Sequence, residues 1–146
     1  MSQCLQQQDF CGYFKENMDG LGLDVSQSLF ATQVKAIETI TIMLAAIKAV
    51  GAKATIGELT GATIGLEKLA VIGALSASYY VGAAVGSLAV ATGRHLACGT
   101  SIADALAVAG RSGINASWIY PHLSRHPEIL SSRYGGRSTY RSRAMA

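Results

Sequence analysis

The sequence contains few charged residues. Asp, Glu, Lys and Arg make up 14% of its 146 residues, and hydrophobic residues make up 50%, whereas an ordinary globular domain carries about 25% charged residues. This shortage excludes a chain that is solvated along its whole length, because so much apolar surface needs a buried location. The length fits one domain and leaves little room for a second independent core.

The sequence also has few prolines and cysteines and no recognisable signal peptide. The two prolines, Pro121 and Pro127, lie late in the chain, so helices are free to form before them. The three cysteines, Cys4, Cys11 and Cys98, cannot all pair within one chain, which excludes a disulfide framework and indicates synthesis in a reducing cytoplasm. No basic region followed by an apolar core opens the sequence, so a cleavable signal peptide is not expected.

The longest uncharged stretch runs from Leu69 to Gly93, between Lys68 and Arg94. As a helix, its roughly 25 residues would be about 37 Å long, against a hydrocarbon core of about 30 Å. Lys68 and Arg94 would then lie at the two membrane interfaces, and we expect the stretch to insert into a membrane. Because much of it is Ala, Gly and Ser, a helix buried on all sides in a soluble bundle is the competing interpretation.

Helices are expected on both sides of this stretch, because strand-like alternation is weak. A short helix is predicted around residues 9–18 and an Ala-rich one up to about Ala109. Between them, an amphipathic helix over about residues 28–50 would be capped by Asp24 or Ser26. Its apolar stripe, at spacings of three and four, consists of Phe30, Val34, Ile37, Ile40, Leu44 and Ile47.

Glycines at intervals of four residues are the most distinctive pattern. Glycine in a helix interior costs about 1 kcal/mol relative to alanine. Its repeated use therefore indicates that two helices approach each other closely at this face. Such a face packs either copies of the chain, as in an oligomeric channel, or the two arms of one hairpin. The packing residues would be Gly57, Gly61, Gly65, Gly73, Gly82 and Gly86.

Acids and hydroxyls near this ladder are candidates for a conduction path. An ionised acid at the centre of a bilayer costs roughly 2.5 to 3.5 kcal/mol, so these acids would face water or pair with a lysine. Acids that face a lumen favour cations. The pore-lining candidates are Glu58, Glu67, Asp104, Thr60 and Thr63.

The charge distribution distinguishes the end of the chain. From Arg111 onward there are six arginines and one acid, Glu128. A basic tail beside an apolar region favours anionic lipid or a disordered solubilising tail, and nucleic acid is not expected because no nucleic-acid-binding motif accompanies it. Trp118 and Tyr120 in this tail are candidate membrane-interface residues, as are Lys68 and Arg94.

Two other clusters contain residue types that could carry chemistry. His95 and Cys98 share one helix side, yet no oxyanion loop or orienting partner is evident, so no catalysis is predicted. His122 and His126 have the spacing of two metal ligands on a helix, but no third ligand is well spaced, and ordinary surface histidines are expected. We predict no enzyme, no metal and no cofactor.

At its glycine ladder the chain resembles the small glycine-zipper membrane toxins that bacteria deliver through the type VI secretion system. The resemblance covers about residues 50–110. It implies a protein made in the producer cytoplasm, secreted without a signal peptide, and inserted from the periplasm into the inner membrane of a target cell. It also implies a secretion-system carrier and a cognate membrane-located immunity protein.

The sequence thus predicts an all-α protein with an amphipathic helix, a membrane-inserting glycine-zipper hairpin and a basic irregular tail. Its segments are a polar leader or docking segment (1–27), a membrane-active domain (28–110) and a partly disordered tail (111–146). The predicted function is a small, cation-preferring pore, formed by a homo-oligomer in inner-membrane lipid, that dissipates the membrane potential. The alternatives are a soluble α-helical interaction, cargo or adaptor protein of a secretion system and a holin-like resident membrane protein.

Overall fold

The computed structural model describes residues 10–23, 30, 32–51, 53–62, 76–96, 102–111, 113–114, 117–130, 140 and 142. Of these residues 82% are helical and none lies in a strand, apart from a single antiparallel bridge between Thr55 and Ser76. The predicted all-α class is therefore confirmed.

The described helices whose bounds are given, and one 3-10 turn, account for most of the described chain. The helices are α1 (Phe10–Gly20), α2 (Gln33–Val50), α3 (Ile56–Ala62), α4 (Ala77–Leu96), α5 (Ile102–Arg111) and α6 (Ile119–Arg125), and the 3-10 turn is Pro127–Ile129. The helix expected around residues 9–18 corresponds to α1, and the Ala-rich helix expected to reach about Ala109 corresponds to α5.

Helix α1 belongs to the core, although it lies in the segment predicted as a polar leader or docking segment. Phe14 and Met18 are fully buried, and the Phe14 ring stacks on that of Phe30 with centroids 4.8 Å apart. The helix ends at Gly20, and Gly22 just beyond it has φ 81°. The backbone N–H of Leu23 donates to Met18 O over 3.0 Å. This is a glycine C-cap, in which the positive φ lets the chain turn back over the helix end.

Helix α2 begins later than predicted and is rotated relative to the predicted stripe. Its N-cap is Thr32, whose hydroxyl accepts a hydrogen bond from Lys35 N, whereas Asp24 and Ser26 lie outside the described residues. Val34 is 66% exposed, so its predicted place on the apolar stripe is wrong. Phe30 precedes the cap and therefore does not set the helical phase; the buried face is Ala36, Thr39, Ile40, Met43, Ala46 and Ile47.

Helix α4 is the centre of the fold. Every residue from Tyr80 to Ala91 is buried, because α1, α2, α5 and α6 all pack against this helix. Residues 69–75 of the predicted membrane stretch lie outside the described residues, and the described part is helical from Ala77. None of the helices in the described ranges is long and apolar enough to cross a membrane.

The described part of the predicted irregular tail is folded. Ile119 and Leu123 of α6 and Ile129 of the 3-10 turn are buried in the same core. Tyr140 is also fully buried. Apolar side chains at positions 119, 123 and 129 supply enough buried surface to hold this segment on the bundle, despite the two prolines and the arginines around it.

Candidate functional site

The small-residue face of α4 is closely packed at Gly82 and Gly86. A Cβ added at Gly82 would lie well under 3.0 Å from the His122 ring, and one added at Gly86 would lie equally close to Ile129 Cγ2. Real Cβ atoms do not come so near to other heavy atoms, so a side chain at either position would have to displace the His122 ring or Ile129. Gly82 and Gly86, four residues apart in the sequence, therefore pack against His122 and Ile129 of the same chain.

A buried amide joins three elements beside this face. The Asn17 side chain donates to Ser87 Oγ and to Ile129 O, each over 2.9 Å. The amide nitrogen carries two protons, one for each acceptor. Since Asn17 lies on α1 and Ser87 on α4, this group fixes the 3-10 turn against both helices.

A second polar chain holds His122 above Gly82. The Tyr140 hydroxyl donates to Tyr79 O over 2.6 Å and lies 2.7 Å from His122 Nε2. The hydroxyl has one proton, and that proton is directed to the Tyr79 carbonyl, so Nε2–H of His122 donates to the Tyr140 oxygen. A neutral histidine with its proton on Nε2 satisfies this arrangement.

The surroundings of His122 disfavour its charged form. Burial, followed by the charges of His126 and Arg125, lowers the pKa of His122 from 6.5 to about 4. Its ring meets those of Tyr79 and Trp118 edge-on, with centroids 5.0 Å and 6.0 Å away. These aromatic walls replace the water that would solvate an imidazolium.

The two histidines do not form a metal site in the described structure. His126 Nδ1 contacts Glu128 Oε2 over 3.2 Å, and His122 Nε2 is occupied by Tyr140. Across the described ranges, no three His, Cys, Asp or Glu side chains are grouped so that they could hold a metal ion. Both histidines are buried, so the expectation of ordinary surface histidines is wrong; they pack against α4 because the chain returns there after α5.

Glu58, a predicted pore-lining residue, has a structural role at the start of α3. Its carboxylate accepts a hydrogen bond from Thr55 N over 2.9 Å, and its own N–H donates to Thr55 Oγ1 over 3.3 Å. This reciprocal pair is a capping box, which satisfies two backbone donors at the helix N-terminus. Glu58 and the neighbouring Gly57 are exposed in this fold.

The remaining predicted site residues are spread over the molecule. Tyr120 is 56% exposed and Trp118 is half-buried beside His122. Thr60 and Gly61 lie on α3, Arg94 on α4 and Asp104 on α5, and only their helical positions are described. Five other candidates fall outside the described residues: Thr63, Gly65, Glu67, Lys68 and Gly73.

Sequence reasoning missed the residues that cover the small face. The Gly82 and Gly86 pair signals that something approaches α4 closely, but no sequence pattern identifies His122 and Ile129 as the groups that do so. Asn17 and Tyr140 belong to no sequence motif, and their hydrogen-bond partners Ser87 and Tyr79 lie 70 and 61 positions away in the chain. The chain matched no protein-family model, no curated protein and no solved structure.

Proposed function

We propose that this protein is a pore-forming antibacterial toxin that carries its apolar helix α4 enclosed by its own helices until it reaches a target membrane. The observation that supports this most is the burial of every residue from Tyr80 to Ala91. A mostly apolar helix covered on all sides is protected from water before it meets lipid. It then has an apolar surface to present to lipid on every side.

The small residues of α4 support assembly after insertion. Lipid tails give helices little hydrophobic reason to associate, so close packing of Gly82 and Gly86 faces becomes the main attraction between copies. In this proposal the glycine ladder on and after α3 adds a second such face. Acids and hydroxyls supply a cation-preferring path, and the ion gradient is dissipated without a chemical step.

The resemblance to type VI toxins completes the proposal. Under it, a secretion-system carrier delivers the chain to the periplasm of the target cell, and the protein inserts into inner-membrane lipid from that side. The producer protects itself with a membrane-located immunity protein. These partners are part of the proposal and follow from the resemblance alone.

Membrane potential is the decisive measurement for this function. Cells would express the chain with and without an added signal peptide, and a voltage-sensitive dye would be read beside a large impermeant dye. We expect depolarisation mainly in the exported form, with the large dye excluded, because a small ion pore opens from the periplasm. An unchanged potential in both forms, with the protein present, would contradict pore formation.

A matched pair of variants tests the glycine ladder. The double substitution Gly61→Ile with Gly65→Ile should abolish depolarisation, because two branched side chains hold neighbouring helices apart. Gly110→Ile is the control, since Gly110 is exposed on α5 and a Cβ there meets nothing within 4 Å. Full depolarisation by the double variant, at equal expression, would count against a zipper mechanism.

An α-helical interaction protein, such as a secretion-system cargo or adaptor, is the second candidate. Apolar side chains on the outer side of α2 favour it: Val34 is 66% exposed, Val50 42% and Ile42 39%. A partner helix would cover them. This candidate predicts an unchanged membrane potential, whereas a holin-like resident membrane protein would be harmless from the periplasm and lethal, if at all, from the cytoplasm.

A further inference from the structure

Helix α2 has one face that is exposed along its whole length. Its buried face packs on α4, and the opposite side carries residues at alternating intervals of four and three. Positions with this spacing follow one side of an α-helix, so they form a single stripe, called the outer stripe below. The outer stripe consists of Val34, Glu38, Thr41, Ala45 and Lys48, all of which are exposed.

The outer stripe is not an ordinary solvated helix face. The side of a helix that stays in water usually carries polar and charged side chains, whereas Val34 is 66% exposed here, and Ile42 beside the stripe is 39% exposed. Thr41 and Ala45, in the middle of the stripe, have small side chains. A second helix could therefore pack on it with an axis-to-axis distance of about 8 to 10 Å.

The two charges of the outer stripe make it complementary to itself. Glu38 and Lys48 lie equally far in sequence on either side of Met43, which is fully buried on the opposite side of the helix. A two-fold axis that crosses the stripe at this level puts Glu38 of each copy beside Lys48 of the other, and Thr41 opposite Ala45. This is the reciprocal pattern of an isologous contact, in which residue i meets j and j meets i.

The ion pair within α2 leaves Glu38 available for this contact. Lys35 Nζ lies 3.9 Å from Glu38 Oε1, and the Glu38 side chain is 59% exposed. Charge-assisted hydrogen bonds between such groups are about 2.7 to 2.9 Å long, so the carboxylate can still bind a closer cation. The stripe carries one charge of each sign, which does not match an anionic lipid surface, because that surface attracts clusters of cations.

We propose that the outer stripe of α2 pairs with the outer stripe of a second copy of this chain, with the two helices antiparallel about an axis between Thr41 and Ala45. The pairing belongs to the folded protein in water and goes beyond the proposed pore. One face of an 18-residue helix is about 27 Å long and buries less than the roughly 800 Å² per partner of stable complexes. The dimer is therefore weak and forms only at high concentration.

Sedimentation equilibrium of the full chain at low salt measures this pairing. Over about 5 to 300 μM we expect the average mass to rise from the 15.2 kDa of one chain towards twice that value, with a Kd of about 10 to 100 μM. Added salt should weaken the pairing, because it screens exposed ion pairs. A chain that keeps the monomer mass throughout would overturn the proposal, whether the stripe then binds lipid, another protein or nothing.

Charge reversals test the antiparallel register. Glu38→Lys puts two lysines side by side at each end of the contact, and Lys48→Glu puts two acids there, so each variant should raise the Kd by about fivefold or more. A mixture of the two variants, or one chain with both changes, pairs lysine with glutamate again and should restore association. Parallel pairing would leave the Kd of each single variant unchanged, and that result would overturn the proposal.

Two controls separate the outer stripe from general effects of charge and bulk. Ala45→Arg crowds the axis and should abolish association, whereas Ala107→Arg, at an exposed position of α5, should not. Lys15→Glu on the exposed side of α1 makes the same charge change as Lys48→Glu and should keep the Kd within about twofold of wild type. Association that survives Ala45→Arg, or that the two control variants weaken equally, would put the contact elsewhere and overturn the proposal.

Discussion

The neutral state of His122 makes the fold sensitive to acid. Its pKa is about 4 in the folded protein and 6.5 when unfolded, so between these values the unfolded chain binds a proton that the folded chain does not. The free energy of unfolding therefore falls as the pH falls from about 6.5 to about 4, by at most about 3 kcal/mol. Positive charge on His126 or Arg125 opposes protonation of His122. The Glu128 carboxylate contacts His126.

Urea unfolding at several pH values between 7.5 and 4 measures this effect. His122→Gln is the matched variant, because a glutamine can still donate to the Tyr140 oxygen and does not titrate. We expect the variant to lose the part of the pH dependence that lies between 6.5 and 4. A variant that keeps the wild-type slope over that range would show that another group is responsible.

Variants of Glu58, at the start of α3, distinguish its structural role from its proposed place in a conduction path. Glu58→Ala should lower the free energy of unfolding by about 1 kcal/mol, because Thr55 N loses its acceptor. Glu58→Gln retains an oxygen acceptor and should leave stability within about 0.5 kcal/mol of wild type. Thermal denaturation measures both.

The same pair then tests the pore. If Glu58 lines the lumen, Glu58→Gln shifts the reversal potential of the channel away from cations while stability stays unchanged. An unchanged reversal potential for Glu58→Gln would assign the residue to the capping box alone.

The sequence predicts a helix and its ends where residues close in the sequence determine them. Gly22 turns the chain just after α1 through its positive φ, and the absence of proline before Pro121 allows the all-α chain. The start of α2 was misplaced because several residues near it have capping side chains, and the structure has Thr32 as the cap. A helix from 119 to 125 was not expected, because its stability comes from burial against α4 rather than from its own sequence.

The glycine pair of α4 shows the same limit for the candidate site. Spacing alone predicts that something packs closely on Gly82 and Gly86, and the structure has that close packing. Spacing does not distinguish a second copy of the helix from a histidine 40 residues later in the same chain, because both fill the same groove. The identity of the covering group is a property of the whole fold.

At the scale of the molecule, the fold and the proposed function require α4 to exchange one set of neighbours for another. In the bundle, α1 packs on α4, and Phe14 and Met18 of α1 are fully buried. If α4 enters lipid, α1 loses that support, whereas the backbone hydrogen bonds of α4 lie within the helix and remain out of reach of water. Hydrogen exchange on the full-length protein, with and without phosphatidylglycerol vesicles, distinguishes these states.

We expect vesicles to remove protection from the amides of α1 and to leave α4 protected, because only α4 keeps a dry environment. An interaction protein that merely touches the vesicle through the exposed side of α2 would keep α1 as protected as in water. The ratio of α1 to α4 protection is therefore a better discriminator than membrane binding itself, since binding alone is compatible with both candidates but only insertion takes the bundle apart around α4. Unchanged protection of α1 in vesicles that are nevertheless releasing ions would mean that the pore forms without α4 leaving the bundle.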